Sequence, residues 1–154
     1  LDLFISPYSK FAGEIVARLS ELGDDAPDVS IRFIVREQDG EFVGAQGIAE
    51  GEEAARMWAA LSVDKQKGMA YILERFKKRG SSYWATPAES AGLNPEELRE
   101  RALSEEAREA MAEDAKLTET FSPGGGAFLL HEGRETVVFR DITDFEVLLW
   151  IYQQ

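Results

Sequence analysis

The chain has 154 residues, 44% of them hydrophobic and 10% aromatic, enough for one domain with its own core. Seventeen basic against twenty-nine acidic residues give a formal net charge of -12, which repels phosphate backbones and anionic lipid headgroups and argues against nucleic acid as a partner. With no cysteine there is no disulfide framework, thiolate metal site or thiol nucleophile, and with one histidine, His131, a His-based zinc site is ruled out and little remains for a Ser-His-Asp triad.

Residues 1–5, LDLFI, form an apolar run that predicts a strand, broken at Ser6-Pro7-Tyr8-Ser9. Phe11, Ile15, Val16, Leu19 and Leu22 then recur at helical spacing, stopped by Gly23, Asp24 and Asp25. Val29, Ile31, Phe33 and Val35 alternate as in a second strand, over 29–36, which closes at Gln38-Asp39-Gly40. Residues 1–36 therefore read as β-α-β with a parallel pairing and a right-handed crossover.

From about 50 to 118 every periodic segment is helical, with stripes at Ala54, Met57, Trp58 and Leu61 and at Met69, Ile72, Leu73 and Phe76. Short helices follow, with Asn94 as N-cap before Pro95 and Ser104 as a second N-cap. Glu50, Glu52, Glu53, Glu105 and Glu106 read as helix-start charge, and their spacing does not suit a calcium loop. "AFLL", a turn at His131-Glu132-Gly133-Arg134 and "TVVF" form an antiparallel hairpin over 127–130 and 135–139. A last helix begins at Thr143, whose spacing to Glu146 is a capping box; it buries Phe145, Leu148, Leu149 and Tyr152, with Trp150 packed on the sheet. Trp58 and Trp84 read as packing residues, His131 as a solvated turn residue, and Gly124 to Gly126 as a permissive loop, since no Walker lysine follows.

The order is β-α-β, a helical block, then β-β-α: an α/β chain with the thioredoxin order, a central four-stranded mixed sheet and one domain, 1–154, with a helical insertion at about 50–118. No run approaches the roughly 18 apolar residues of a membrane-spanning helix, so no direct membrane insertion is expected. No signal-peptide pattern is present. No methionine precedes Leu1, so the natural chain is expected to extend further, into a signal peptide, lipid anchor or other domain.

The chain resembles DsbA-like thioredoxin-fold proteins along its whole length. The resemblance rests on "LDLFISPYSKFAGEIVARLSEL" at the redox-loop position, "GEFVGAQGIAEGEEAARMWAAL" entering the insertion, "WATPAESAGLNPEELRERALSEEAREAMAEDAKL" leaving it and "FSPGGGAFLLHEGR" at the cis-proline loop. It implies a disulfide-oxidoreductase scaffold and an exported, periplasmic setting in bacteria. The family's loop carries a cysteine at the N-terminus of the first helix, where the helix end stabilises a thiolate. Ser6 and Ser9 stand at the matching positions, around Pro7 and Tyr8, and a serine hydroxyl gains only about 1 kcal/mol from a helix end, far too little to ionise near neutral pH. By the same resemblance Pro123, after Ser122, is the candidate cis-proline facing Ser6, next to a backbone that offers itself to an extended peptide.

Four explanations stand for SPYS. A naturally degenerate domain keeps the fold as a redox-inactive module that binds a polypeptide or is structural, with no cofactor and no metal. An oxidoreductase has had both cysteines removed by engineering. A glutathione-dependent transferase or isomerase uses Ser6, since the loop is similar to the opening of kappa-class glutathione transferases and 2-hydroxychromene-2-carboxylate isomerases. A plain N-cap serine sits in an unrelated fold. The first is taken forward, with residues 6–9, Ser122 and Pro123 as the binding surface; the partner's identity is not encoded in any motif.

Overall fold

In the computed structural model, which describes residues 1–121, 126–131 and 135–154, the opening apolar run forms strand β1 (Asp2–Ile5). After the serine loop comes α1 (Lys10–Leu22), whose Ala12, Ile15, Val16 and Leu19 are buried, each larger side chain contributing roughly 1.5–3 kcal/mol. It ends at Gly23, where φ is 55° and a side chain would be strained. Strand β2 (Ser30–Phe33) then returns parallel to β1, with Leu3 opposite Ile31 and Ile5 opposite Phe33.

This strand is shorter than the predicted 29–36. Its last link is the Ile34 N–H donating to the Ile5 carbonyl at 2.9 Å, after which the chain makes a separate hairpin, β3 (Arg36–Gln38) with β4 (Glu41–Val43). Asp39 and Gly40, at φ 52° and 79°, form its turn, so the Asp-Gly pair is a hairpin signal rather than a strand terminator.

The insertion comprises α2 (Ile48–Val63), α3 (Lys65–Lys77), α4 (Ala85–Ser90), α5 (Pro95–Ala102) and α6 (Glu105–Phe121), with no strand between residues 50 and 118. Asp64, Asn94 and Ser104 cap α3, α5 and α6, accepting from the backbone N–H groups of Lys67, Glu96 with Glu97, and Ala107.

Strands β5 (Ala127–His131) and β6 (Glu135–Val138) complete an α/β mixed sheet of order β2-β1-β5-β6, in which β5 is antiparallel to both neighbours. His131 is therefore the last residue of β5, paired with Glu135, and not part of the turn. The pleat sends Leu3, Ile5, Ala127 and Leu129 into the main core with α1, α2 and α3, and sends Phe4, Phe128 and Leu130 to the other face beneath Leu117 and Phe121 of α6. Phe4 and Phe128, direct partners across β1 and β5, stack with centroids 4.5 Å apart.

The last helix, α7 (Ile142–Tyr152), starts one residue before Thr143 because Asp141 is the N-cap, accepting from the N–H groups of Thr143 and Asp144. Aspartate caps better than threonine, and the predicted capping box gives way to it. Phe145 and Leu149 are buried, Phe145 meeting Phe139 edge to face, but Trp150 is 64% exposed and Tyr152 also lies outside the core. Trp150 follows Leu149 by one residue, about 100° around the helix, which turns it from the sheet towards water.

Candidate binding site at the start of α1

The loop at residues 6–9 leaves the C-terminal end of β1 and opens α1. Each of its backbone donors is taken, Pro7 having none. The Ser6 N–H donates to the Gly126 carbonyl at 2.9 Å, extending the β1–β5 pairing by one step, and the Ser9 N–H donates to the Ser6 carbonyl at 3.0 Å, closing a tight turn. The Tyr8 N–H donates to Glu50 Oε2 at 2.9 Å. Sheet, turn and insertion thus fix the loop from three sides.

The two serines differ in role. Ser9 is the N-cap of α1, extended at φ -81° and ψ 123°, with its hydroxyl accepting from the Ala12 N–H at 3.4 Å. Ser6 is only 6% exposed, yet its hydroxyl has no hydrogen-bond partner among the described residues. Gly126 lies against them so closely that a β-carbon there would fall on the Ser9 hydroxyl. Gly126, immediately before β5, therefore reaches the serine loop. Ser122 and Pro123, and with them the expected cis bond, lie outside the described residues.

Glu50 stands in the first turn of α2, as its position suggests, and Glu53 one turn further on, but neither is a solvated charge. Both are 1% exposed. Glu50 Oε1 accepts from the Gln46 N–H at 3.1 Å while Oε2 holds Tyr8. Glu53, one turn further along α2, accepts from Arg75 Nε at 2.7 Å, Arg56 Nη2 at 2.6 Å and the Tyr71 hydroxyl at 3.2 Å. Arg56 lies over the Trp84 ring, 5.3 Å from its centroid, and Arg99 takes up the same ring at 5.7 Å. Burial, with the Glu53 charge adding to it, raises the Tyr8 phenol above its ordinary value, and the same two causes raise Tyr71 further. The signal for both glutamates was present: positions 50, 53, 54, 57 and 60 form one helical stripe with Ala54, Met57 and Ala60. A carboxylate in phase with a buried stripe needs a partner inside the protein.

A third buried carboxylate covers the sheet edge. Asp114 on α6 accepts from Arg32 Nε at 2.6 Å and from the Phe33 N–H at 3.1 Å, occupying an outward-facing donor of β2 that would otherwise be open to another strand. Burial pushes its carboxyl up to about 6, against the opposing pull of Arg32 and the Phe33 N–H.

Among the described residues no group of three or more His, Asp or Glu side chains is placed to hold a metal ion, and no helix is long and apolar enough to cross a membrane. No protein-family model and no curated protein matches the chain. Solved structures do. The chain is similar to the thiol-disulfide exchange protein alpha-DsbA2 from Wolbachia pipientis, with a TM-score of 0.68 at 14% identity over 98% of this chain and 80% of that one. It is similar also to the oxidoreductase DsbA from Xylella fastidiosa, with a TM-score of 0.67 at 16% identity over 99% of this chain and 86% of that one. A cysteine-free loop on the first helix, a sheet ordered β2-β1-β5-β6 and a five-helix insertion are thus assembled on the thioredoxin-like fold of the DsbA thiol-disulfide oxidoreductases.

Proposed function

We propose that the chain is a redox-inactive polypeptide-binding module on a DsbA-like scaffold, with residues 6–9 and the segment ending at Gly126 as its contact surface. Thiol-disulfide exchange proceeds by attack of a thiolate on a disulfide sulfur, and this chain holds no cysteine to supply one. The observation that carries the reading is the loop itself. Its shape is held by Gly126, Glu50 and its own turn, while the atoms at the reactive positions are hydroxyls. An extended chain can be held through backbone groups and a formed loop, and such binding needs no thiol. By analogy with that scaffold, the setting we propose is the periplasm or another exported compartment. No cofactor or metal is part of the proposal.

The buried Ser6 hydroxyl, without a hydrogen-bond partner among the described residues, favours one alternative, a glutathione-dependent transferase or isomerase in which Ser6 holds the substrate sulfur. Titration calorimetry separates the two. Reduced, carboxamidomethylated ribonuclease A is unfolded, thiol-free and basic, and should bind saturably, whereas glutathione should give no saturable heat. No binding of the unfolded protein overturns the proposal. Saturable glutathione binding weakened by Ser6→Ala by about 1 kcal/mol, the worth of one hydrogen bond, moves the assignment to the transferase class.

A further inference from the structure

The last helix, α7, is apolar on two opposite sides. Phe145 and Leu149 on its inward side belong to the core, with Ile142 and Leu148 packed against it. Val147, Trp150 and Ile151 lie on the other side, and each is more than half exposed. Trp150 and Ile151 follow Val147 by three and four residues, which makes them neighbours on the helix surface. A helix apolar all round is normally a buried one, and in a single copy only the inward side has that cover.

With Thr143 near the start of the helix and Gln154 just past its end, the outward row runs 143, 147, 150, 154. Steps of four, three and four residues are those of the seam along which two helices pack side by side. The row is also symmetric about the middle of the helix. Laid antiparallel on a twofold axis, it sets Val147 of each copy against Trp150 of the other, a small side chain opposite a large one. Uncharged Thr143 and Gln154 fall at the two ends.

The charge at this face identifies the occupant. On α7 the charges beside the row are Asp144 and Glu146, and both are paired. Asp144 meets Arg140 at 2.9 Å, and Glu146 meets Arg18 of α1, which Glu21 shares, also at 2.9 Å. Asp141 caps the positive end of the helix, and residues 141–154 include no Lys or Arg. A basic partner meets no unpaired carboxylate beside the row, and an anionic partner or lipid headgroup meets no free cation. A surface that is itself apolar with a neutralised rim matches this one, and a second copy presents it.

The area agrees. The three side chains leave roughly 300–400 Å² of apolar surface on each copy, the size of a functional patch on a monomer. Two copies bury about twice that, and with the polar rim that homodimer interfaces carry the total comes to about 1,000–1,300 Å², enough for a specific contact at the weak end of the range.

We infer that the outward face of α7 is a dimer interface, joining two copies of the chain about a twofold axis through Val147, Trp150 and Ile151. The contact involves none of residues 6–9 or Gly126, so it holds whether or not the serine loop binds polypeptide.

Sedimentation velocity of the whole chain, from about 1 µM to about 500 µM, tests it. The wild type should pass from monomer to dimer with a dissociation constant on the order of 10–100 µM, and raised salt should tighten the dimer by screening the net charge of -12 on each copy. Trp150→Ala should weaken association about tenfold or more, Trp150→Phe should lose less, and Val147→Asp should stay monomeric throughout. Tyr83→Ala, which removes an exposed aromatic of another segment, should change nothing. Because Val147 and Trp150 face water in the single chain, melting temperatures of dilute samples should match the wild type; if Val147→Asp melts early, Trp150→Ala decides alone. A monomer at every concentration overturns the inference, as does a dimer that Trp150→Ala leaves unchanged or that Tyr83→Ala weakens equally. Growth past the dimer overturns the twofold closure, and a dimer that loosens as salt rises overturns the neutral rim.

Discussion

Asp114 should give the fold a pH dependence attributable to one carboxyl. Its side chain is 4% exposed and is held at about 6, against the ordinary 3.8 of an aspartate free in the unfolded chain. The folded state therefore binds more protons than the unfolded state between those values, and stability falls as pH rises through the window. A difference of about two pH units corresponds to on the order of 3 kcal/mol. Stability from this group is fully present below about pH 4 and lost above about pH 6. Urea denaturation of the wild type and of Asp114→Asn, from about pH 4 to about pH 7.5, isolates it. Mutual repulsion among the other acidic residues slopes both curves in the same direction and cancels in the difference. The wild type should lose on the order of 2–3 kcal/mol more than the variant across the window. Parallel curves would refute the argument, and a wild type that gains stability with rising pH would show that pairing with Arg32 outweighs burial.

Glu50→Ala leaves the Tyr8 and Gln46 N–H groups without their acceptor, so stability should fall by about 1–3 kcal/mol and hydrogen exchange at the Tyr8 amide should quicken, while Glu50→Gln, which keeps one acceptor oxygen, should do less. In Gly13→Ala a β-carbon would lie 2.8 Å from Phe76 Cγ, so packing of α1 on α3 should cost about 1–3 kcal/mol and exceed the helix-propensity gain of about 1 kcal/mol; a raised melting temperature would contradict that close crossing. Ser6→Cys with Ser9→Cys places a dithiol at the helix end, and a scaffold adapted to binding should turn over insulin slowly in a reduction assay. Rapid turnover would identify a disarmed enzyme.

Much of the fold was legible because local chemistry and global packing agree. The apolar run before Ser6, the stripe through Ile15, Val16 and Leu19 and the caps at Asn94 and Ser104 are each local signals with one reading. The β3–β4 hairpin was not legible, because its residues are largely exposed and carry no alternation, leaving Asp39-Gly40 as the sole cue. Thr143 lost the cap to Asp141 in a contest that sequence leaves open when two capping residues stand two apart. The serine loop was visible from the resemblance, but its supports were not. Glu50 and Glu53 stand in phase with the buried stripe of α2, which sequence shows, but nothing in sequence marks their partners, and Arg75, four residues before Arg79 in a basic stretch, gives no sign that it is buried. The long-range partner of Tyr8, Glu50, is set by how the insertion sits on the loop, and that of Glu53, Arg75, by how α3 packs on α2, neither of which a local pattern encodes.

The central claim is that the serine loop binds unfolded polypeptide. Nitrogen-15 NMR of the labelled chain, titrated with unlabelled reduced, carboxamidomethylated ribonuclease A, tests it most directly. Saturable shifts at the amides of Ser6, Tyr8, Ser9 and Gly126 are the predicted result. Saturable shifts confined to the exposed Val147, Trp150 and Ile151 of α7, or no saturable shifts at any amide, would contradict it.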